Sequence, residues 1–528
     1  MLESRMFLQG PFKVDLKTGW PPAEERVAAG LEERNRVSRQ ALGVWEPADD
    51  VRDPVDVVMA VAKPRQQRLI PLRTARMAVS SFTFYRGAAQ LMANDLGTRP
   101  HTGIYTQLCG DAHLSNFGMY ASRERAPVFD INDFDETGFG PWEWDLKRLT
   151  TSFVLAAREN GIGAHAEEAV RATVNAYVAA LNEMAEMGWL DRRYRMVRAD
   201  RPVVDGVVWT ERTKQMMNRA VSKAAKKTQA WTVGKYTEVV DGVPRLRMDP
   251  PIITPVSKRT AAAVAASLRG YFATLSVERR AYLIPYRVVD VAHKIVGVGS
   301  IGTYDYIVLL LGDGLHDELL LQVKEAEPSA VKTALGDKPL LANGERVVVG
   351  SWVMQCVSDP FLGFTELHGR GFYVRQLKDM KGSVDPATLD EEFLPAYGKR
   401  CGYTLGLAHS RAGDPDKILG YVGKGAALAD AIWDFSEAYA DQTERDFGRF
   451  IQAIHEGRIK AAELPPVVPA APKAPKAKAK APKAKAKAPK AKAKAPKAKA
   501  AKPKAPKAKA PKAKAAKPKA AKAAKPKA

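Results

Sequence analysis

Apolar residues recur at helical spacing over Leu146–Ala157 and Ala164–Met187, which predicts two helices each burying a broad face. The same spacing predicts helices over Ala23–Gln40, Met77–Leu96, Gly344–Val357 and Phe393–Arg411. Shorter runs rich in β-branched and aromatic residues predict strands at Ile104–Cys109, Pro127–Ile131, Tyr304–Leu311, Glu318–Val323, Phe361–Leu367 and Phe372–Leu377. Residues 20–60 are charged and loop-rich, and residues 190–260 are polar, basic and poorly periodic, an excursion with no clear pattern. Helices and strands are mixed along the chain, so the expectation is an α+β fold. The longest apolar run, around Tyr306–Leu311, is too short to span a bilayer. The N-terminus, MLESRMFLQGPFKVDL, lacks the basic-then-apolar order of a signal peptide.

Composition divides the chain. Residues 471–528 contain only Ala, Pro and Lys, 23 of them lysine. The whole chain has 82 basic and 59 acidic residues, so without that tail the balance is 59 against 59. The high positive charge therefore describes the tail and not the globular part. Ala, Pro and Lys offer no large apolar side chain to offset backbone ordering, and the expectation is an extended, disordered polycation. Nucleic acid, held through its phosphates, is the partner such a tail fits first; polyphosphate meets the same physics. A solubilising tail with no dedicated partner is the plain alternative. Cys109, Cys356 and Cys401 have no paired spacing, which predicts reduced core residues in a cytoplasmic protein.

The candidate chemistry is concentrated in residues 107–145, QLCGDAHLSNFGMYASRERAPVFDINDFDETGFGPWEWD. Asp111 stands five residues before Asn116, and Asp133 follows a second short apolar run. A tight loop between strands brings such oxygens together. One carboxylate then accepts a proton from a substrate hydroxyl, while an amide and a second carboxylate hold Mg²⁺ on nucleotide phosphates. A turn rich in Asx caps reads the same residues without chemistry. Asp135, two residues past Asp133, joins the metal set, whereas Glu136 reads as solvated. His113 braces the turn or meets a metal or phosphate; Arg86, in FYRG, meets a phosphate or a structural carboxylate.

A second constellation lies at Ile295–Gly302, IVGVGSIG, where Gly297, Gly299, Ser300 and Gly302 follow an apolar segment. A strand, a turn and a further strand ending at Lys324 come next. Backbone amides of such a loop cover ATP phosphates and the lysine reaches the α- and β-phosphates. A strand rather than a helix follows the glycines, which excludes a dinucleotide-binding βαβ unit. A surface hairpin with a snorkelling lysine is the plain reading. Glu345, at the opening of a predicted helix, is the candidate to orient Lys324; Glu325 and Glu327 are nearer in sequence but lie along the strand.

GDAHLSN resembles the GDxHxxN loop of aminoglycoside and choline phosphotransferases, and DFDETGFGPWEWDL resembles their DxxDxGxGDPxxDL segment, with Gly140-Pro141 in place of Gly-Asp-Pro. LGLAHSRAGD resembles the LxxLH helix that precedes their catalytic loop, and His409 within it reads as a bracing histidine. That resemblance implies that Asp145 hydrogen-bonds the Asp111 loop. FTFYRGAA, CGDAHLSNFG, FDINDFDE, EWDLKRL, QVKEA and SDPFLGF are similar to phrases of the bacterial family called domain of unknown function 2252, over roughly residues 20–455. In the phosphotransferases the glycine loop and lysine come first. Here they follow the Asp111 segment, and the preceding helix falls near residue 400. All parts stand in cyclic order, which implies a circular permutation.

The expectation is thus an α+β, protein-kinase-like two-lobed fold, circularly permuted. Its globular region covers 1–463: a catalytic-loop and helical part about 100–290, a glycine-loop and lysine part about 291–382, and returning helices about 383–455. A disordered tail covers 464–528. The expected function is ATP- and Mg²⁺-dependent transfer to a small-molecule or protein hydroxyl, with nucleoid association through the tail. Asp111 is the base, Asn116, Asp133 and Asp135 hold metal, and Lys324 with Gly297–Gly302 hold phosphates. Three alternatives stay open: a pseudokinase or nucleotidyl transferase, a nucleoid-associated protein with a non-catalytic core, and a metal hydrolase built from Asp111, His113, Asp133 and Asp135.

Overall fold

A capping box decides the first departure from simple periodicity. The helical stretch expected over Met77–Leu96 is broken, because Ser80 and Thr83 satisfy each other's backbone amides and restart the helix. In the computed structural model the described residues are 19–46, 52–201, 210–295, 297–314, 317–338, 340–377 and 380–463. They open with α1 (Ala23–Arg36), α2 (Pro54–Ala62), α3 (Ile70–Met77), α4 (Ser81–Gly87) and α5 (Ala89–Gly97). Four short strands follow: β1 (Tyr105–Leu108), β2 (Phe117–Ala121), β3 (Pro127–Ile131) and β4 (Gly138–Pro141). β1 pairs with β4, and β2 pairs with β3. The Asp111 segment therefore joins β1 to β2, a strand with no counterpart in the expected set, and Asp133 lies on the connection from β3 to β4. Helix α6 (Glu143–Glu159) is buried from Glu143 through Ala157, and α7 (Ala166–Glu186) buries its apolar face beside it.

The excursion of residues 190–260 is built of regular pieces. It holds α8 (Trp189–Tyr194), α9 (Glu211–Ala225), α10 (Gln229–Tyr236) and a hairpin of β5 (Thr237–Val240) and β6 (Val243–Leu246). Periodicity missed α9 because only Thr213, Met217 and Ala224 are buried, a stripe too thin to register.

A six-stranded antiparallel sheet comes next, in the order β11-β12-β10-β9-β8-β7. Its elements are β7 (Ile253–Pro255), α11 (Lys258–Thr274), α12 (Val277–Ala281), β8 (Arg287–Lys294), β9 (Asp305–Leu311), β10 (Glu318–Glu325), α13 (Ala330–Leu335), α14 (Asn343–Met354), β11 (Gly363–Leu367) and β12 (Arg370–Gln376). The sheet part thus begins at Ile253 rather than near 291. Alternation along β10 sorts its two faces. Leu319, Leu321 and Val323 pack with Leu268, Tyr271 and Leu275 under α11. Leu320, Gln322 and Lys324 point the other way, and along that face the row turns from apolar to polar. Lys324 lies between Asp305 and Tyr373 in register, and Gln322 lies between Ile307 and Arg375.

The chain returns through α15 (Phe393–Ala412), α16 (Pro415–Val422) and α17 (Ala426–His455). Gly398, Gly402 and Gly406 form a stripe on α15 that lets its backbone lie directly on α7. A Cβ at Gly402 would stand 2.0 Å from the Thr173 carbonyl oxygen. The fold is mixed α+β, and no helix among the described residues is long and apolar enough to cross a membrane. The chain divides at Pro466 into two units, and the described residues belong to the first. The Lys/Ala/Pro tail lies outside the described residues.

The α7–α15 contact gives a paired expectation. Gly402→Ala should lower stability by at least about 1–3 kcal/mol, since the neighbour it meets is backbone. Gly448→Ala, on the exposed face of α17 with nothing within 4 Å of a new Cβ, should raise it by about 1 kcal/mol. Thermal unfolding of the two variants against wild type reads the opposite signs.

Candidate active site

The Asp111 loop is held from behind by α6. Asp145 accepts hydrogen bonds from the amides of Cys109 at 2.8 Å and Gly110 at 2.9 Å, as the phosphotransferase likeness implied. Its Oδ2 also lies 3.3 Å from His409 Nε2, and His409 Nδ1 lies 2.9 Å from the Tyr177 hydroxyl, so α15 and α7 brace the same carboxylate. Gly110 is required: its φ is +81°, and a Cβ there would meet the Glu136 carbonyl oxygen at 2.0 Å. One turn along α6, Arg148 donates from Nε to Asp111 Oδ1 at 2.8 Å, and Ser152 accepts from the Leu114 amide at 2.9 Å. Asp111 Oδ2 is left facing the cleft, with buried His113 Nε2 3.6 Å away. Burial raises the Asp111 carboxyl above its usual value and Arg148 opposes that rise. His113 is held neutral by burial and by the Arg86 and Arg148 charges. The Asn116 side-chain amide donates to the Asp111 carbonyl at 2.8 Å, which turns its Oδ1 away from that bond.

Lys324, 189 residues away in sequence, donates to Asp135 Oδ2 from the floor of the sheet. Tyr373 donates its hydroxyl to Asp135 Oδ1 at 2.8 Å, and Ser300 donates to Oδ2 at 3.1 Å. Both oxygens of Asp135 are therefore engaged, by Lys324, Tyr373 and Ser300. Asp133 accepts only a long contact from the Asp135 amide, 3.4 Å, among the described residues. Burial, and then the Asp135 charge, raises the Asp133 carboxyl. Burial also pushes Asp135 up, but Lys324 outweighs it and holds the carboxyl down to about 2. Glu345 does not orient Lys324. It lies in the first turn of α14, where the next residue, Arg346, turns inward instead and donates to the carbonyls of Asp135, Thr137 and Glu327. Glu136 is not solvated: its side chain accepts from the Ala330 amide at 2.7 Å and caps α13, and burial pushes it up to about 7.

The glycine segment connects β8 to β9 as a single 3₁₀ turn, Val298–Ser300, rather than as an open hairpin. Arg65 pins it by donating to the carbonyls of Gly299 at 2.7 Å and Ile301 at 3.1 Å while pairing with Glu327. Gly302 has φ +97° and turns the chain into β9. Gly297, Gly299 and Ser300 line one cavity of about 550 Å³ together with Asp111, Asn116, Asp133, Asp135 and Lys324; Gly302 does not. Such a volume suits a small organic ligand. Arg73, Arg86 and Arg375 line it too; Arg73 and Arg86 have no carboxylate ion-pair partner among the described residues, whereas Arg375 donates to the Gln322 side chain at 2.9 Å and Tyr373, Asp133 and Asp135 favour its charge against burial. Arg86 Nε and Arg73 Nε are buried without an acceptor.

The profile of the family described as "Uncharacterized protein conserved in bacteria (DUF2252)" matches residues 65–453. The chain belongs to this family. No curated protein and no solved structure matches it. The matched DUF2252 region contains every residue placed around the cavity above.

Sequence reasoning brought together Asp111, Asn116, Asp133, Asp135, Lys324 and Arg86 in this DUF2252 cavity, and it missed Arg148, Tyr373, Arg375, Arg65 and Arg73. A signal for Arg148 was present. Asp145, Arg148 and Ser152 are polar at helical spacing on a helix that is otherwise buried, and all three face the loop. Tyr373 and Arg375 alternate on β12 as Gln322 and Lys324 do on β10. Arg65 and Arg73 carried no such pattern.

The low Asp135 carboxyl sets a pH dependence. Its native value lies below the unfolded one of 3.8, so the stability it contributes is present above that pH and lost as pH falls toward about 2. Lys324→Met should therefore be less stable than wild type at pH 6, and about 2 kcal/mol of the gap should vanish by pH 2.5. Denaturant unfolding at both pH values reads this; an unchanged gap would assign the effect to packing alone.

Proposed function

We propose that this DUF2252 protein binds a nucleoside triphosphate with Mg²⁺ and transfers a phosphoryl group to a substrate hydroxyl. One observation carries the reading: Lys324 at the end of β10 meets Asp135 beside Asp133, in the cavity that also holds the Asp111–Asn116 loop and the glycine turn. The cavity also fits an anion. Arg73 and Arg86 lack carboxylate ion-pair partners among the described residues, and buried guanidiniums left uncompensated are costly. A triphosphate answers that charge.

In this reading the groups divide the work. Lys324, Arg86 and Arg375 bind phosphate oxygens, and the Gly297–Ser300 turn borders them. Asp133 and Asn116 Oδ1 would hold Mg²⁺, which supplies charge neutralisation on the phosphates when bound. The acceptor oxygen bonds to the γ-phosphorus as the β–γ bridge breaks, and its proton passes to Asp111 Oδ2. Arg148 fixes Oδ1, so the second oxygen is aimed. Asp111 and Asp135 each face a cation, and among the described residues no cluster of three His, Cys, Asp or Glu side chains is arranged for a metal. Mg²⁺ needs only one or two carboxylates when phosphates supply the rest, which favours this reading over a metal hydrolase.

A circularly permuted, protein-kinase-like architecture belongs to the same proposal. In support, the order β8, glycine turn, β9, β10 with Lys324, α13, α14, β11, β12 matches what the lysine-bearing half of such a fold requires, with α13 as an added helix. Its helical half would be joined from α15 to β1. Those ends are adjacent: a Cβ at Gly413, just past α15, would lie 2.4 Å from Thr106 Oγ1 on β1.

The full chain should gain a few degrees of thermal stability with ATP and Mg²⁺ together, and much less with either alone. Asp133→Asn should lose most of that gain. Asp111→Asn should keep it while abolishing transfer to any acceptor that the wild type phosphorylates. Stabilisation by Mg²⁺ without nucleotide, or full transfer by Asp111→Asn, would overturn the assignment.

A further inference from the structure

Residues 211–236 carry seven lysines and arginines against one acid, Glu211, in a chain whose non-tail part is balanced at 59 of each. On α9, Arg219, Lys223 and Lys226 repeat at i, i+4 and i+7, and a like-charge row of this kind weakens a helix. All three are exposed, and none has an ion-pair partner among the described residues. Lys223 and Lys226 complement the helix dipole at the last turn. That leaves Arg219 unexplained, and with it the shape of the surface. The row lines a groove of about 560 Å³ with Lys227 and Trp231, and the Trp231 indole, at the start of α10, is 40% exposed. The Lys235 ammonium lies 5.5 Å from the indole centroid. The far wall is fixed, since Lys227 exchanges backbone and side-chain hydrogen bonds with Met380 and Lys381.

We propose that the α9–α10 groove binds single-stranded nucleic acid, with Arg219, Lys223 and Lys226 on successive phosphates and Trp231 under a base. Cations four residues apart on a helix are about 6 Å apart along its axis, a spacing that an extended strand's phosphates reach. An aromatic ring flanked by cations is the sequence-tolerant pattern of single-strand binding. A closed duplex keeps its base faces stacked away from the indole, whereas an extended single strand can lay one on it. This site is independent of the cavity and of the Lys-rich tail.

The test uses the full chain and a bromodeoxyuridine-substituted oligonucleotide, cross-linked by light and mapped by peptide mass. Cross-links should fall on the peptides holding Lys223 and Trp231 as well as on the tail. Replacing Arg219, Lys223 and Lys226 by Gln should make the log–log salt dependence shallower by about 2, at about 0.7 per phosphate. Trp231→Ala should weaken binding about tenfold, with thermal unfolding unchanged in both variants. Cross-links confined to residues 471–528, with unaltered salt dependence, would overturn the proposal. So would loss of binding on cation removal with no effect of Trp231→Ala, which would mark a general polyanion or acidic-protein surface.

Discussion

The buried contact between Lys324 and Asp135 is the constraint on which the rest of the site depends. An ammonium and a carboxylate removed from water stabilise each other only when geometry and further hydrogen bonds compensate their lost hydration. Tyr373 and Ser300 provide those bonds, from β12 and from the glycine turn. One carboxylate thereby ties the sheet, the turn and the β3–β4 connection to a single point. Displacing any one of them would leave a charge without compensation, so the pair fixes the relative position of three chain segments.

The same logic runs through the opposite wall. Asp145 satisfies two loop amides and is braced by His409, while Arg148 anchors one oxygen of Asp111. These groups are buried, and each has its charge or hydrogen bond answered. Arg73 and Arg86 are the exception, because burial outweighs their neighbours and neither has a carboxylate ion-pair partner among the described residues. The molecule thus presents a frame of compensated charges around a cavity in which the Arg73 and Arg86 guanidiniums have no carboxylate ion-pair partner among the described residues.

The two basic regions of the chain differ in kind. The tail's lysines occur in a segment with no apolar residue larger than proline, so their position follows from composition alone. The α9 cations sit on a folded helix beside an indole, and their alignment with it depends on the short turn that joins α9 to α10. A charge count could not separate the two, since the tail accounts for the whole excess.

Sequence alone determined what depends on local chemistry and short-range period. β3 runs over the residues expected of it, and α6, α7, α14 and α15 lie within a few residues of their expected bounds, because apolar spacing reports burial directly. The Asp111–Asn116 spacing and the Lys324 strand end were likewise legible, since each is a local pattern. Tertiary structure decided the partners. Glu345 opens a helix, the place from which a glutamate could orient Lys324, yet the helix turns Arg346 inward, and Asp135 takes the lysine from the β3–β4 connection. Strand β2 shows no alternation because its buried residues, Phe117–Met119, are consecutive, and the α8–α10 region has too few buried positions to show a period. Which charges meet across 189 residues depends on how helices and sheet pack, and no local pattern encodes that distance.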